Sequence, residues 1–186
     1  LHGPTHNDPP SRPPLVLASI GLLAATAALG EPDRIDPATG AATWEMRTGG
    51  VTLSLTQLLP DQVRAFYVNR GFDLADAEVF ATACVYMAVM RNEAAGGDVF
   101  FRQADWEIRT QADSRPIPPV DAWLAEWEAR DVPQAARLAF RWAQLPPEQR
   151  YAPGEWNQGM LATGLAPGSR FDLTARWTLA DETHEG

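Results

Sequence analysis

The chain has no lysine, one cysteine and three histidines among its 186 residues, and each shortage closes a route. With Cys84 alone, no disulfide can form within the chain, so a folded body must be held by its apolar core. His2 and His6 stand near the amino end and His184 near the carboxyl end, which leaves the body without an imidazole. A Ser-His-Asp or Cys-His system has no base there, and a His-rich zinc site has no ligands. All 15 basic residues are arginine, scattered among 24 acids, for a net charge of −9. A phosphate backbone calls for a clustered basic surface, so nucleic acid is excluded as a partner. Gly49-Gly50 and Gly96-Gly97 are isolated pairs that lack the spacing of a phosphate cradle.

What is present begins with residues 15–29, an uninterrupted run of apolar and small residues behind Arg12. Ending in Ala28-Leu29-Gly30, it reads as a signal peptide occupying residues 1–30, with a mature chain starting near Glu31. Because about 20 apolar residues are needed to span a bilayer, an uncleaved anchor through residues 15–29 is the alternative, and only that form would contact a membrane. Both readings place the folded part in an exported compartment, periplasmic or secreted.

Beyond an irregular lead-in at 31–41, alternation dominates. Trp44 and Met46 mark a first strand, and Val51, Leu53 and Leu55 alternate with Thr52, Ser54 and Thr56 in a second. The longest such run is Phe171, Leu173, Ala175, Trp177 and Leu179, interleaved with polar residues. Leu59, Val63, Phe66 and Tyr67 recur at helical spacing, which predicts a helix over 60–70 stopped by Gly71. Residues 73–78 read as a helical turn. The apolar run 79–90 fits a central strand or a buried helix, and the loop-like Asn92 to Asp98 behind it favours strand. Residues 99–109 form its expected partner, Asp121 is expected to cap a short helix, and Leu138, Phe140 and Trp142 predict another strand over 136–145. No internal repeat is visible. About seven strands with two or three short helical insertions predict a mainly β fold, an antiparallel β-sandwich over 42–180 followed by a polar tail at 181–186.

A strand ending in Arg91-Asn92 before the Gly96-Gly97 loop, and a Pro167-Gly168 turn before a last paired hairpin, resemble immunoglobulin-like domains of exported bacterial proteins. That resemblance spans 42–180 and implies an immunoglobulin-like fold without implying an activity.

Three sets of side chains carry candidate chemistry. Cys84, Met87 and Met90 are soft ligands suited to Cu(I), provided the local structure brings them together; core packing is the competing reading. Tyr151 and Trp156 flank a Pro153-Gly154 loop, and Trp123 and Trp127 share a helical face; such rings can stack on sugars or anchor an interface, with core packing the competing reading for the helical pair and Trp156 the ring expected at the surface. Asp105 and Glu107 would share one strand face, where outward charges are ordinarily solvated. With no catalytic set in the body, the chain reads as a non-catalytic binding or accessory protein without a cofactor. A protein partner or small ligand is expected at its loops, with copper handling and carbohydrate binding as alternatives.

Overall fold

The computed structural model describes Gly3 and residues 30–186, so the predicted signal segment and His2 and His6 lie outside the described residues. The elements of the first half are β1 (Arg34–Ile35), β2 (Ala42–Thr48), β3 (Val51–Gln57), α1 (Pro60–Val68), α2 (Leu74–Ala81), β4 (Val85–Asn92), β5 (Val99–Arg102) and β6 (Glu107–Arg109). The second half adds β7 (Ser114–Pro116), α3 (Val120–Ala129), α4 (Gln134–Ala143), β8 (Glu148–Tyr151), β9 (Trp156–Ala162), β10 (Asp172–Thr174), β11 (Arg176–Leu179) and β12 (Glu182–Glu185). The fold is mainly β, with antiparallel sheets and four helices, and Glu31–Gly186 make one compact unit.

A five-stranded sheet in the order β1-β2-β3-β4-β9 organises it. Alternation in β4 divides two cores: Tyr86, Ala88 and Met90 join one, while Val85 and Met87 join the other. The first core also takes Val99 and Phe101 from β5, Ile108 from β6, Tyr151 from β8 and Trp177 from β11. It thus lies between the five-stranded sheet and two smaller ones, ordered β10-β6-β7 and β12-β11-β5-β8. The second core is filled by the helices: Tyr67, Phe80, Trp127 and Phe140 pack on Val85, Met160 and Ala162. Gln144 ties this layer to the sheet, donating through Nε2 to the Tyr67 hydroxyl at 2.7 Å and to the Phe140 carbonyl at 3.1 Å.

Several expectations change. The run 79–90 is neither wholly strand nor wholly helix: Asp73 caps α2 by accepting from the Asp76 N–H at 2.7 Å, the helix runs to Ala81, and the strand starts at Val85. Cys84 makes the switch in left-handed backbone, φ 51°. Residues 99–109 are two strands in different sheets, divided by a 3₁₀ turn at Gln103–Asp105 whose Gln103 Nε2 donates to the Leu145 and Pro146 carbonyls, both at 2.8 Å. That break separates Asp105, which pairs with Arg102, from Glu107, which pairs with Arg176. The partner run 171–179 breaks opposite it, at Ala175, yet keeps its period of two: all five apolar residues face the first core. The expected polar tail closes the sheet as β12, because Ala180 and Asp181 both adopt positive φ and form a two-residue hairpin turn.

The largest change is at 136–145, expected as a strand and found mostly in α4. Ala136 and Phe140, four apart, enter the second core, whereas Leu138 and Trp142 lie about 200° around the helix from Phe140 and face outward. Four helices therefore replace the expected two or three.

Candidate functional site

The helices form two hairpins that repeat at an interval of 60 residues. Helix α1 starts at 60 and α3 at 120; α2 starts at 74 and α4 at 134. Each hairpin turns through a left-handed residue, Gly71 at φ 93° or Asp131 at φ 58°. In each, the next N–H closes on the first helix, Phe72 to the Tyr67 carbonyl at 3.2 Å and Val132 to the Trp127 carbonyl at 2.9 Å. Buried positions correspond as well: Tyr67 with Trp127, Phe72 with Val132, Phe80 with Phe140. Two of these pairs change side-chain type, which hides the repeat from a reading by identity.

The outer faces differ. In the first hairpin Arg64 bridges the helices, donating to Glu78 at 2.6 Å and Asp61 at 2.5 Å, and these hydrogen bonds raise its pKa above the ordinary guanidinium value. At the corresponding positions of the second hairpin, 124 and 138, stand two leucines. Leu124 and Ala125 of α3 and Ala135 and Leu138 of α4 floor an open groove of about 640 Å³. Two ion pairs span it, Arg141 to Asp121 at 2.8 Å and Arg137 to Glu128 at 2.9 Å. Every acid lining the groove is on α3 and every base on α4. One turn beyond Leu138, which is 55% exposed, Trp142 is 80% exposed, the most exposed large apolar residue among those described. It has no ring or guanidinium partner among the described residues. The groove holds no nucleophile, and both its carboxylates are paired, so its chemistry is that of contact.

The residues singled out from sequence fall elsewhere. Trp127 is fully buried with its indole N–H unpartnered, edge-on to Phe72 at 5.5 Å, and Trp123 stacks on it at 5.8 Å. Both are core to the helical layer. Tyr151 ends β8 and is buried against Phe101 at 5.8 Å; its hydroxyl has no partner, and burial pushes its pKa up to about 12. Trp156, half exposed, starts β9 opposite Arg91, whose guanidinium lies 5.4 Å from the indole. Cys84 is half-buried with Sγ 3.4 Å from the Tyr86 hydroxyl, and burial, then that thiol, raise the Tyr86 pKa. Met90 lies on the same core as Cys84, and Met87 on the other side of the sheet. Sequence reasoning missed the groove, Leu138 that lines it and the exposed Trp142 one turn beyond. The signal was there in the spacing of four shared by Ala136 with Phe140, Arg137 with Arg141, and Leu138 with Trp142.

No family model matches the chain, and neither a curated protein nor a solved structure is significantly similar to it.

Proposed function

We propose that the chain is an exported, non-catalytic binding or accessory protein that recognises a protein partner through the outer face of its second helical hairpin. The observation that carries this reading is the exposure of Trp142 one helical turn beyond Leu138, which lines a groove where the equivalent hairpin keeps an ion pair. Large exposed apolar side chains grouped over a groove are the composition of an interface core. The apolar run at 15–29 supports export. The first core, lined from three antiparallel sheets, supports a β-sandwich as the scaffold, and the turn pattern at 91–98 and 167–168 supports its kinship with immunoglobulin-like domains.

A photo-crosslinking amino acid in place of Trp142 in the producing cell tests the reading. A protein adduct is expected there and none from position 82, its counterpart in the first hairpin. Absence of any adduct at 142 overturns the docking face, and turnover of ester, glycoside or peptide substrates by the purified protein overturns the non-catalytic role.

A further inference from the structure

We propose that the partner of this face is a second copy of the chain, docked about a two-fold axis parallel to α3 and α4; the proposal rests on the reading of that face as a docking surface.

The duplicated hairpin supplies the first step. Positions 64 and 124, and 78 and 138, occupy the same places in the same local fold, and the first hairpin closes with Arg64 and Glu78. The fold therefore does not require leucine at 124 and 138, nor tryptophan at 142, where the counterpart is Thr82. An apolar outer face that the scaffold does not need is explained by a contact outside the described fold.

Charge selects the occupant. Asp121 and Glu128 form one row on α3, and Arg137 and Arg141 a second row on α4, aligned as 121 with 141 and 128 with 137 by their ion pairs. In a closed homodimer the same patch meets itself, and the axis lies in the plane of contact. If the axis crosses the helices, α3 meets α3 and acid meets acid. If it runs along them, α3 of one copy lies over α4 of the other, so each acidic row meets a basic row and the apolar floors coincide. The second arrangement places four antiparallel-neighbour helices around Leu124, Leu138 and their copies, the plan of a four-helix bundle. The face is self-complementary in that orientation alone.

The nine groove residues and Trp142 make a small patch. A standard interface uses about 20–30 residues a side, so association in the micromolar range is expected.

Sedimentation equilibrium of the purified chain from about 1 to about 500 μM brackets that range. A concentration-dependent monomer–dimer equilibrium is expected, abolished by Leu138→Glu or Trp142→Glu with an unchanged circular dichroism spectrum and left intact by Thr82→Glu. Orientation is tested by the double variant Asp121→Arg, Arg141→Asp, which keeps its internal ion pair. It should associate with itself as the wild type does, but with the wild type about tenfold more weakly, since two facing pairs become like-charged. A wild type that stays monomeric throughout, a dimer indifferent to Trp142→Glu, or free mixing of wild type and double variant overturns the proposal. A monomeric wild type with a crosslinked adduct other than twice the chain mass refutes the second copy and leaves the docking face standing. No adduct of any mass removes both.

Discussion

All three tyrosines of the chain are buried, and in each burial is the first cause that holds the phenol protonated above its ordinary pKa of 10.0. For Tyr67 the hydrogen bond from Gln144 opposes that shift without cancelling it. A folded-state pKa raised above the unfolded one gives stability that is fully present below pH 10 and lost as pH rises toward the folded value. Each such proton is worth about 1.4 kcal/mol per pH unit, so three together give a fall of about 4 kcal/mol per unit above pH 10. Because Tyr151 itself ionises at about 12 in the folded chain, the full slope holds only to that pH, enough to exhaust the lower half of the ordinary range of domain stability, about 5–15 kcal/mol. The absence of lysine makes this limb clean, since no ammonium titrates across it. Urea unfolding at successive pH values, in a Cys84→Ala background that removes the thiol, should show a flat profile to pH 10 and then that slope. Tyr67→Phe should reduce the slope to about 2.7 kcal/mol per unit. Tyrosinate absorbance should appear with unfolding and not before it. Phenols that ionise near pH 10 while the tryptophan fluorescence stays native would refute the burial of these rings.

Asn92 is wholly buried and donates through Nδ2 to the Gly97 and Tyr151 carbonyls at 2.9 and 3.0 Å while accepting from the Ala95 N–H at 3.1 Å. Asn92→Ala strands all three groups and should cost about 3 kcal/mol in urea denaturation. A Cβ on Gly159 would meet the backbone of Gln144 and Leu145 inside contact distance, with Gln144 O at 2.5 Å, where Leu145 N–H also donates to the Met160 carbonyl at 2.9 Å. Gly159→Ala should therefore destabilise by about 3 kcal/mol, and an unchanged midpoint would show that the two segments can part. For copper, Met87 and Met90 face different cores, so Cu(I) affinity is expected to be the same in wild type and Met87→Leu. A loss of affinity in that variant would revive the Cys84 reading.

How much of this was legible depends on whether local period and tertiary setting agree. Residues 51–57 and 171–179 alternate on paper and in space, because one face of each meets a core and the other does not. Residues 136–142 satisfy periods of two and of four at once. Alternation through Leu138, Phe140 and Trp142 predicts a strand, whereas Leu138 and Trp142 are exposed and Phe140 alone of the three enters the interior. At 79–90 the chain changes structure inside an apolar run, at a cysteine in left-handed backbone, a position where glycine or asparagine would have signalled the break. The same holds for Ala180 and Asp181, which form a hairpin turn without glycine. Trp123 and Trp127 share one helical face as their spacing predicts, and of the two readings of that face the core one holds: Trp123 packs on Phe80 and Trp127 on Phe140 of α4.

The two hairpins give the molecule its own control for function. Arg64 in the first is paired with two acids, so the centre of that outer face is polar. In the second hairpin the acid is retained as Asp121, the arginine has moved across to α4 as Arg141, and leucines fill the vacated centre. Arg141 corresponds to Ala81, which is buried where α2 runs on into the interior strand β4; α4 instead leads through Gln144 to the sheet edge beside β9, and its outer side stays open. A fully buried tryptophan removes about 150–250 Å² from water, and at about 25 cal/mol per Å² that is worth several kcal/mol, of which Trp142 realises little against the described residues. The docking face proposed above would recover that stabilisation in a complex, which is why the functional reading turns on Trp142.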